Sequence, residues 1–293
     1  MDRIRSGSLA FSFALVSLLL GACSDTSDDT SSSADAGRGA TNDGTVPPVG
    51  GESGGCKRGI ATGKAPGAAF SPNISWWYDW GLDGSRTASG ITYVPMVWGD
   101  KLLGKPIPAN SKFLLGFNEP NFHGQSNLTA KEAAAKWPMV ETQAKATGAA
   151  IVSPAMNYCG PAANCNGTDP FKYLQEFFEN CKGCRVDYVA AHWYNCDLPS
   201  LKDYIETGGG MPGFEQFGKP IWLTEFSCNE KASTKEQEAF MKEAVPWLES
   251  KASIFRYSWF SAAPIPSAKL VNDDGSPTPL GATYRDLPQN CSR

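Results

Sequence analysis

From residue 57 to residue 259 the chain repeats one alternation of apolar and polar stretches. Eight short segments are dense in apolar, β-branched and aromatic residues: 57–61, 74–80, 91–98, 113–117, 149–153, 186–192, 221–225 and 254–259. They are too short for most helices. Most lack the strict apolar–polar alternation of a half-exposed strand, so they read as strands buried on both faces. Helix signals fall between them. Thr129-Ala-Lys-Glu132 and Ser233-Thr-Lys-Glu236 are capping boxes that open helices ending near Ala146 and Ser250. Gly148 is a stop signal after the first, and Asp169 can cap a helix reaching Asn180. Pro138 and Pro246 sit inside the two long helical patterns and predict a kink or break in each. Eight strands alternating with helices predict an α/β fold, a (β/α)8 TIM-type barrel. The connections after the first two strands are too short for full helices, so a compact barrel with some short or missing helices is expected. An open doubly wound sheet is the alternative. It normally carries a Gly-rich phosphate loop after a strand, and none occurs here.

The N-terminus departs from this pattern. Arg3 and Arg5 precede an apolar run from Leu9 to Leu20 that is short for a membrane span. The run ends in Leu20-Gly21-Ala22-Cys23, which resembles the lipobox of bacterial lipoproteins. Residues 1–22 are accordingly expected to be a lipoprotein signal peptide and Cys23 a lipidated residue. Ser24 after it favours the outer membrane among Gram-negative lipoproteins. A lipid chain would anchor the protein without making it span the membrane. Residues 23–55 are mostly Ser, Asp, Gly, Thr and Ala, a composition that cannot bury enough surface to fold, and read as a flexible linker. Residues 56–293 form the expected catalytic domain. The expected location is the bacterial cell envelope or surface, or secretion.

With Cys23 set aside, eight cysteines remain, an even number suited to disulfides in an exported protein. Cys159–Cys165 and Cys181–Cys184 are the local pairings. Cys56–Cys291 would then staple the domain ends and Cys196–Cys228 would join two loops, although spacing alone does not determine connectivity. Cys181-Lys-Gly-Cys184 has no second Cys-x-x-C and no His pair beside it, which argues against zinc.

The net charge of −4 comes with no basic stripe, so no nucleic-acid partner is expected. His123 and His192 are the only histidines, little material for a metal site, and neither a metal nor a cofactor is expected. Nine Trp, nine Tyr and fifteen Phe suit either a large core or a surface that stacks against sugar rings.

Two strands end in carboxylates. Phe113-Leu-Leu-Gly-Phe-Asn-Glu-Pro120 closes on Asn118 and Glu119, and Ile221-Trp-Leu-Thr-Glu-Phe226 closes on Glu225. In a barrel the C-terminal strand ends face the active site, and a charge at the end of a buried strand is costly unless paired or used. A pair of carboxyl groups is what glycosidic cleavage requires: one protonates the leaving oxygen, the other attacks the sugar or activates water.

These segments resemble the catalytic segments of retaining barrel glycosidases of clan A. With Ser75-Trp-Trp-Tyr-Asp-Trp-Gly81, Val94-Pro-Met-Val-Trp-Gly99, Gln125-Ser-Asn127 and Ala191-His-Trp-Tyr194, the chain is similar to glycoside hydrolase family 128. The resemblance implies an endo-β-1,3-glucanase with Glu119 as acid/base and Glu225 as nucleophile. It implies that Asn118 bonds the sugar 2-hydroxyl and that His192 or Tyr194 holds Glu225 ionised. It further implies that Trp259 floors the site and that Trp80 and Trp98 are stacking platforms. Trp76 and Trp77 are expected in the core, and Trp193 and Trp222 against helices. Asp79 stands where family members often carry Asn, which puts subsite contacts in question. The expected partner is a β-glucan, bound by a monomer. Two other readings stay open: a surface glucan-binding protein with a weak or inactive site, and a clan A hydrolase of another β-glycan.

Overall fold

The computed structural model describes residues 56–83, 90–208 and 211–291. The signal-peptide, lipobox and linker readings lie outside these residues. No described helix is long and apolar enough to cross a membrane.

Eight parallel strands form one curled sheet: β1 (Arg58–Ala61), β2 (Trp76–Tyr78), β3 (Thr92–Tyr93), β4 (Phe113–Leu115), β5 (Ala150–Met156), β6 (Tyr188–Tyr194), β7 (Ile221–Ser227) and β8 (Ile254–Phe260). Their spatial order is β3-β2-β1-β8-β7-β6-β5-β4, so each strand lies beside its neighbour in sequence and β8 returns to β1. A parallel bridge between Met96 and Leu115 joins the two ends. There the Leu115 N–H donates to Pro95 O and the Val97 N–H to Leu115 O, both at 2.9 Å. This is a (β/α)8 TIM-type fold.

Helices α1 (Ala130–Lys145), α2 (Pro170–Asn180), α3 (Leu198–Ile205), α4 (Thr234–Ser250) and α5 (Pro279–Asp286) all follow β4 or later strands. Among the described residues, the first three strands are followed only by short 3-10 turns or by no helix. Both capping boxes form at the expected caps, Thr129 and Ser233. The break that each proline allowed does not: α1 and α4 run on through Pro138 and Pro246. A proline forfeits one helical hydrogen bond. The buried faces of these helices, including Trp137 and Val140 in α1 and Val245 and Leu248 in α4, hold them on the sheet regardless.

All four expected disulfides form: Cys56–Cys291, Cys159–Cys165, Cys181–Cys184 and Cys196–Cys228. Inside the barrel, the N-terminal strand ends are filled by the rings of Phe113, Tyr188, Trp222 and Phe255. The Arg256 guanidinium lies 4.8 Å from the Phe113 ring centre and 5.3 Å from that of Trp222. Trp222 was expected against a helix. It instead points inward, packing edge-on against Trp76 as well. This aromatic plug leaves the opposite, C-terminal end of the barrel for the site.

Candidate active site

A β-bulge aims the second carboxylate. Against β6, Leu223 pairs with Ala191 and Glu225 with His192, so Thr224 is an extra residue. Against β8, Leu223 pairs with Tyr257 and Phe226 with Trp259, the same surplus. A bulge shifts the in–out alternation by one. Trp222 and Glu225 therefore both face inward although three positions separate them. The first carboxylate is placed by close packing. A Cβ on Gly116 would lie 2.8 Å from both the Trp137 ring and Val152 O. Only glycine lets the end of β4 approach β5 so closely. Three residues on, Glu119 takes φ 38°, and its N–H donates to Ala155 O at 3.0 Å.

Glu119 and Glu225 are both buried, 2% and 3% exposed, and His192 lies between them, fully buried. His192 Nδ1 is 2.9 Å from Glu119 Oε1 and 3.3 Å from Glu225 Oε2. An oxygen of each carboxylate and a ring nitrogen of His192 all lie within 4.8 Å of one another, close enough to hold a cation as well as to exchange hydrogen bonds. Glu225 has further donors. Trp80 Nε1–H donates to its Oε1 at 2.7 Å, the Tyr78 hydroxyl lies 3.0 Å from the same oxygen, and the Tyr194 hydroxyl donates to Oε2. Glu119 accepts from Asn157 Nδ2 at 3.3 Å.

Burial pushes the Glu225 carboxyl above the usual carboxylate range, and the charge of Glu119 adds to this. His192, Tyr194 and Trp80 pull the other way without cancelling it. Burial acts to lower the His192 pKa, but the charges of Glu225 and Glu119 outweigh it and the imidazole ends above its ordinary value. Burial, then the negative charge of Glu225, raises the phenols of Tyr78 and Tyr194 well above theirs. Both phenols therefore remain protonated donors.

Asn118 is buried beside Glu119. Its Nδ2 donates to Gln125 Oε1 at 3.1 Å, while its Oδ1 has no hydrogen-bond partner among the described residues. The Asn118 N–H donates to Trp98 O at 3.0 Å, which brings the half-buried Trp98 to the same rim. Asp79 accepts from the Tyr93 hydroxyl at 2.6 Å and from the Gly81 N–H at 3.3 Å.

One expected site residue lies elsewhere. Trp259 is fully buried on the outer face of β8, where its Nε1–H donates to Ala268 O at 2.9 Å and its ring meets Phe226 and Tyr284. The strand runs one residue beyond the expected end, and Phe260 turns inward instead. Its ring packs edge-on against Trp80 and Tyr194, with centres 5.7 and 5.3 Å apart. Tyr78 and Asn157 are site residues that the sequence reading missed. The signal for Tyr78 was present, since it lies two positions before Trp80 in the expected strand segment 74–80, the spacing that puts two residues on one face of a strand. Asn157 had none, because β5 runs past Pro154 to Met156, beyond its expected end.

Residues 60–284 match the family described as "Glycosyl hydrolase catalytic core". The curated "Alkali-sensitive linkage protein 1" of Schizosaccharomyces pombe is 31% identical over 251 residues, 78% of this chain and 44% of that protein. The chain thus spans under half the length of that relative. The crystal structure of a subgroup II family 128 endo-β-1,3-glucanase from Sorangium cellulosum is 42% identical with a TM-score of 0.70, covering 80% of this chain and 99% of that one. A subgroup I endo-β-1,3-glucanase from Amycolatopsis mediterranei, in complex with laminaritriose, is 27% identical with a TM-score of 0.64, covering 79% of this chain and 99% of that one.

Proposed function

This chain belongs to the glycosyl hydrolase catalytic-core family, in glycoside hydrolase family 128, and from that premise we propose that it is a retaining endo-β-1,3-glucanase. The observation that carries the retaining reading is the closeness of the two carboxylates: one oxygen of each and a ring nitrogen of His192 all lie within 4.8 Å of one another. Retaining enzymes hold the two carboxyl groups about 5–5.5 Å apart, and inverting ones about 6.5–9.5 Å apart, to admit a water. Glu225 is the nucleophile in this reading, because Tyr78, Trp80 and Tyr194 give its anion three donors. Glu119, with fewer donors, is the acid that protonates the leaving oxygen and then the base that activates water. Asn118 Oδ1, unpartnered among the described residues, accepts from the sugar 2-hydroxyl. Trp80, Trp98 and Phe260 supply rings against the sugar faces. The β-1,3 linkage is proposed from the solved relatives, whose own activity is on that bond.

The test is to incubate the folded domain with laminarin, curdlan, a β-1,4-glucan and a mannan. Short oligosaccharides from the first two, formed as the β-anomer before mutarotation, are expected. An α-anomer formed first overturns the double displacement. Release only from another glycan moves the substrate, and binding without release supports a binding protein instead. Glu225→Gln is expected to abolish turnover while leaving glucan binding intact.

The proposal extends to the chain's organisation: residues 1–22 a signal peptide, Cys23 lipidated, residues 23–55 a tether, and residues 56–293 a monomeric domain held at the bacterial surface. Acyl labelling that disappears in Cys23→Ser, with release of the protein from membranes, is the expected result.

A further inference from the structure

Double displacement moves one negative charge to and fro. In the first step a Glu225 oxygen bonds C1, the bond from C1 to the leaving oxygen breaks, and the Glu119 proton passes to that oxygen. Glu225 is then a neutral ester and Glu119 a carboxylate. In the second step a water oxygen bonds C1, a water proton passes to Glu119, and Glu225 departs as the carboxylate. A buried charge needs donors wherever it rests.

Glu225 has its own donors, Tyr78, Trp80 and Tyr194. Glu119 has Asn157 at 3.3 Å. Among the described residues the donor that reaches both is His192, with Nδ1 2.9 Å from Glu119 and 3.3 Å from Glu225. The ring is fully buried and its Nε2 has no partner among the described residues, so its polar contact with the protein is through Nδ1 alone. Register also points to this role: His192 pairs directly with Glu225 at the bulge that turns the carboxylate inward.

We infer that His192 is a shared positioning donor whose Nδ1–H follows the negative charge from Glu225 to Glu119 in the covalent intermediate, and back again, without surrendering its proton. The inference rests on the double-displacement reading and adds to it that both half-reactions depend on one hydrogen. It requires a hydrogen on Nδ1 rather than a particular ring charge. An asparagine, whose amide nitrogen falls near the position of Nδ1, should replace it.

The experiment uses a dinitrophenyl β-laminaribioside, which separates a glycosylation burst from the deglycosylation rate. Mass spectrometry of the trapped wild-type intermediate first tests the premise. If no sugar is attached to Glu225, the double displacement fails, and this inference with it. With the intermediate present, His192→Ala should slow both steps by similar factors of about 10- to 100-fold, the scale of a hydrogen bond to a charged group. His192→Asn should recover both steps to within about tenfold of wild type. Slowing of one step alone overturns the inference. So does His192→Asn behaving like His192→Ala at an unchanged melting temperature. Should His192→Ala not fold, His192→Asn decides by comparison with wild type: both steps retained supports the shared donor, and either one lost by about 100-fold or more overturns it.

Discussion

Tyr78 and Tyr194 converge on Glu225 from two strands, and their raised phenol pKa values keep them donors wherever the enzyme works. Each bond to a charged acceptor contributes about 1.5–3 kcal/mol. Tyr78→Phe should therefore lower kcat by about 10-fold or more with little change in KM, as steady-state kinetics on laminarin would read. Glu225 also has a cost for the fold. Its pKa is raised, chiefly by burial, so folding favours its protonated form. Its contribution to stability is therefore full below the ordinary carboxylate value, about 4.3, and is lost as pH rises through the folded value. Glu225→Gln should raise the melting temperature at neutral pH, with the gain shrinking as pH falls through the raised folded value and gone below the ordinary one. Calorimetry at several pH values checks both the sign and the trend. Two site residues, Trp80 and Glu119, hold positive φ of 63° and 38°. Such backbone costs on the order of 1–3 kcal/mol for a non-glycine residue, and it occurs here where side chains must be aimed.

At the scale of elements, the site depends on two local departures from regular strand geometry. If Thr224 kept regular strand register instead of bulging, the alternation that points Trp222 inward would turn Glu225 out of the barrel. Without Gly116, β4 and β5 could not close on each other. Gly116→Ala should destabilise the domain by about 1–3 kcal/mol through overpacking. It should also lower kcat, because the displaced strand end carries Glu119; denaturant melts and kinetics together test this. The helix caps and strand centres were legible because a capping box spans three positions and a buried strand is a short contiguous apolar run, both local in the chain. The persistence of α1 and α4 through their prolines was not, since packing on the sheet decides it. The true ends of β5 and β8 were not legible either, and with them went Asn157 and the choice between Trp259 and Phe260.

At the scale of the molecule, the last segment is tied to the first strand. Cys56–Cys291 joins residues 235 apart. Arg58, fully buried, donates to the carbonyls of Tyr284, Leu287 and Pro288 and pairs with Glu249 at 3.1 Å. A cross-link over so long a loop stabilises by about 5 kcal/mol in the chain-entropy account, against about 2 kcal/mol for a three-residue loop such as Cys181–Cys184. Removing the first bridge with Cys56→Ser and Cys291→Ser should lower the melting temperature far more than removing the second. The barrel itself was legible in the sequence, because eight buried strands with helices between them have few ways to close. Both carboxylates were legible too, as charges that end apolar strands. The partnerships among them were not. His192 reaches Glu119 across 73 positions, and Trp80 reaches Glu225 across 145. Local pattern determines which residues form strands and caps and where charges stand along them. Contacts so distant in the chain exist only once the barrel has curled, so the tertiary structure decided which side chains share a proton, a ring face or a charge.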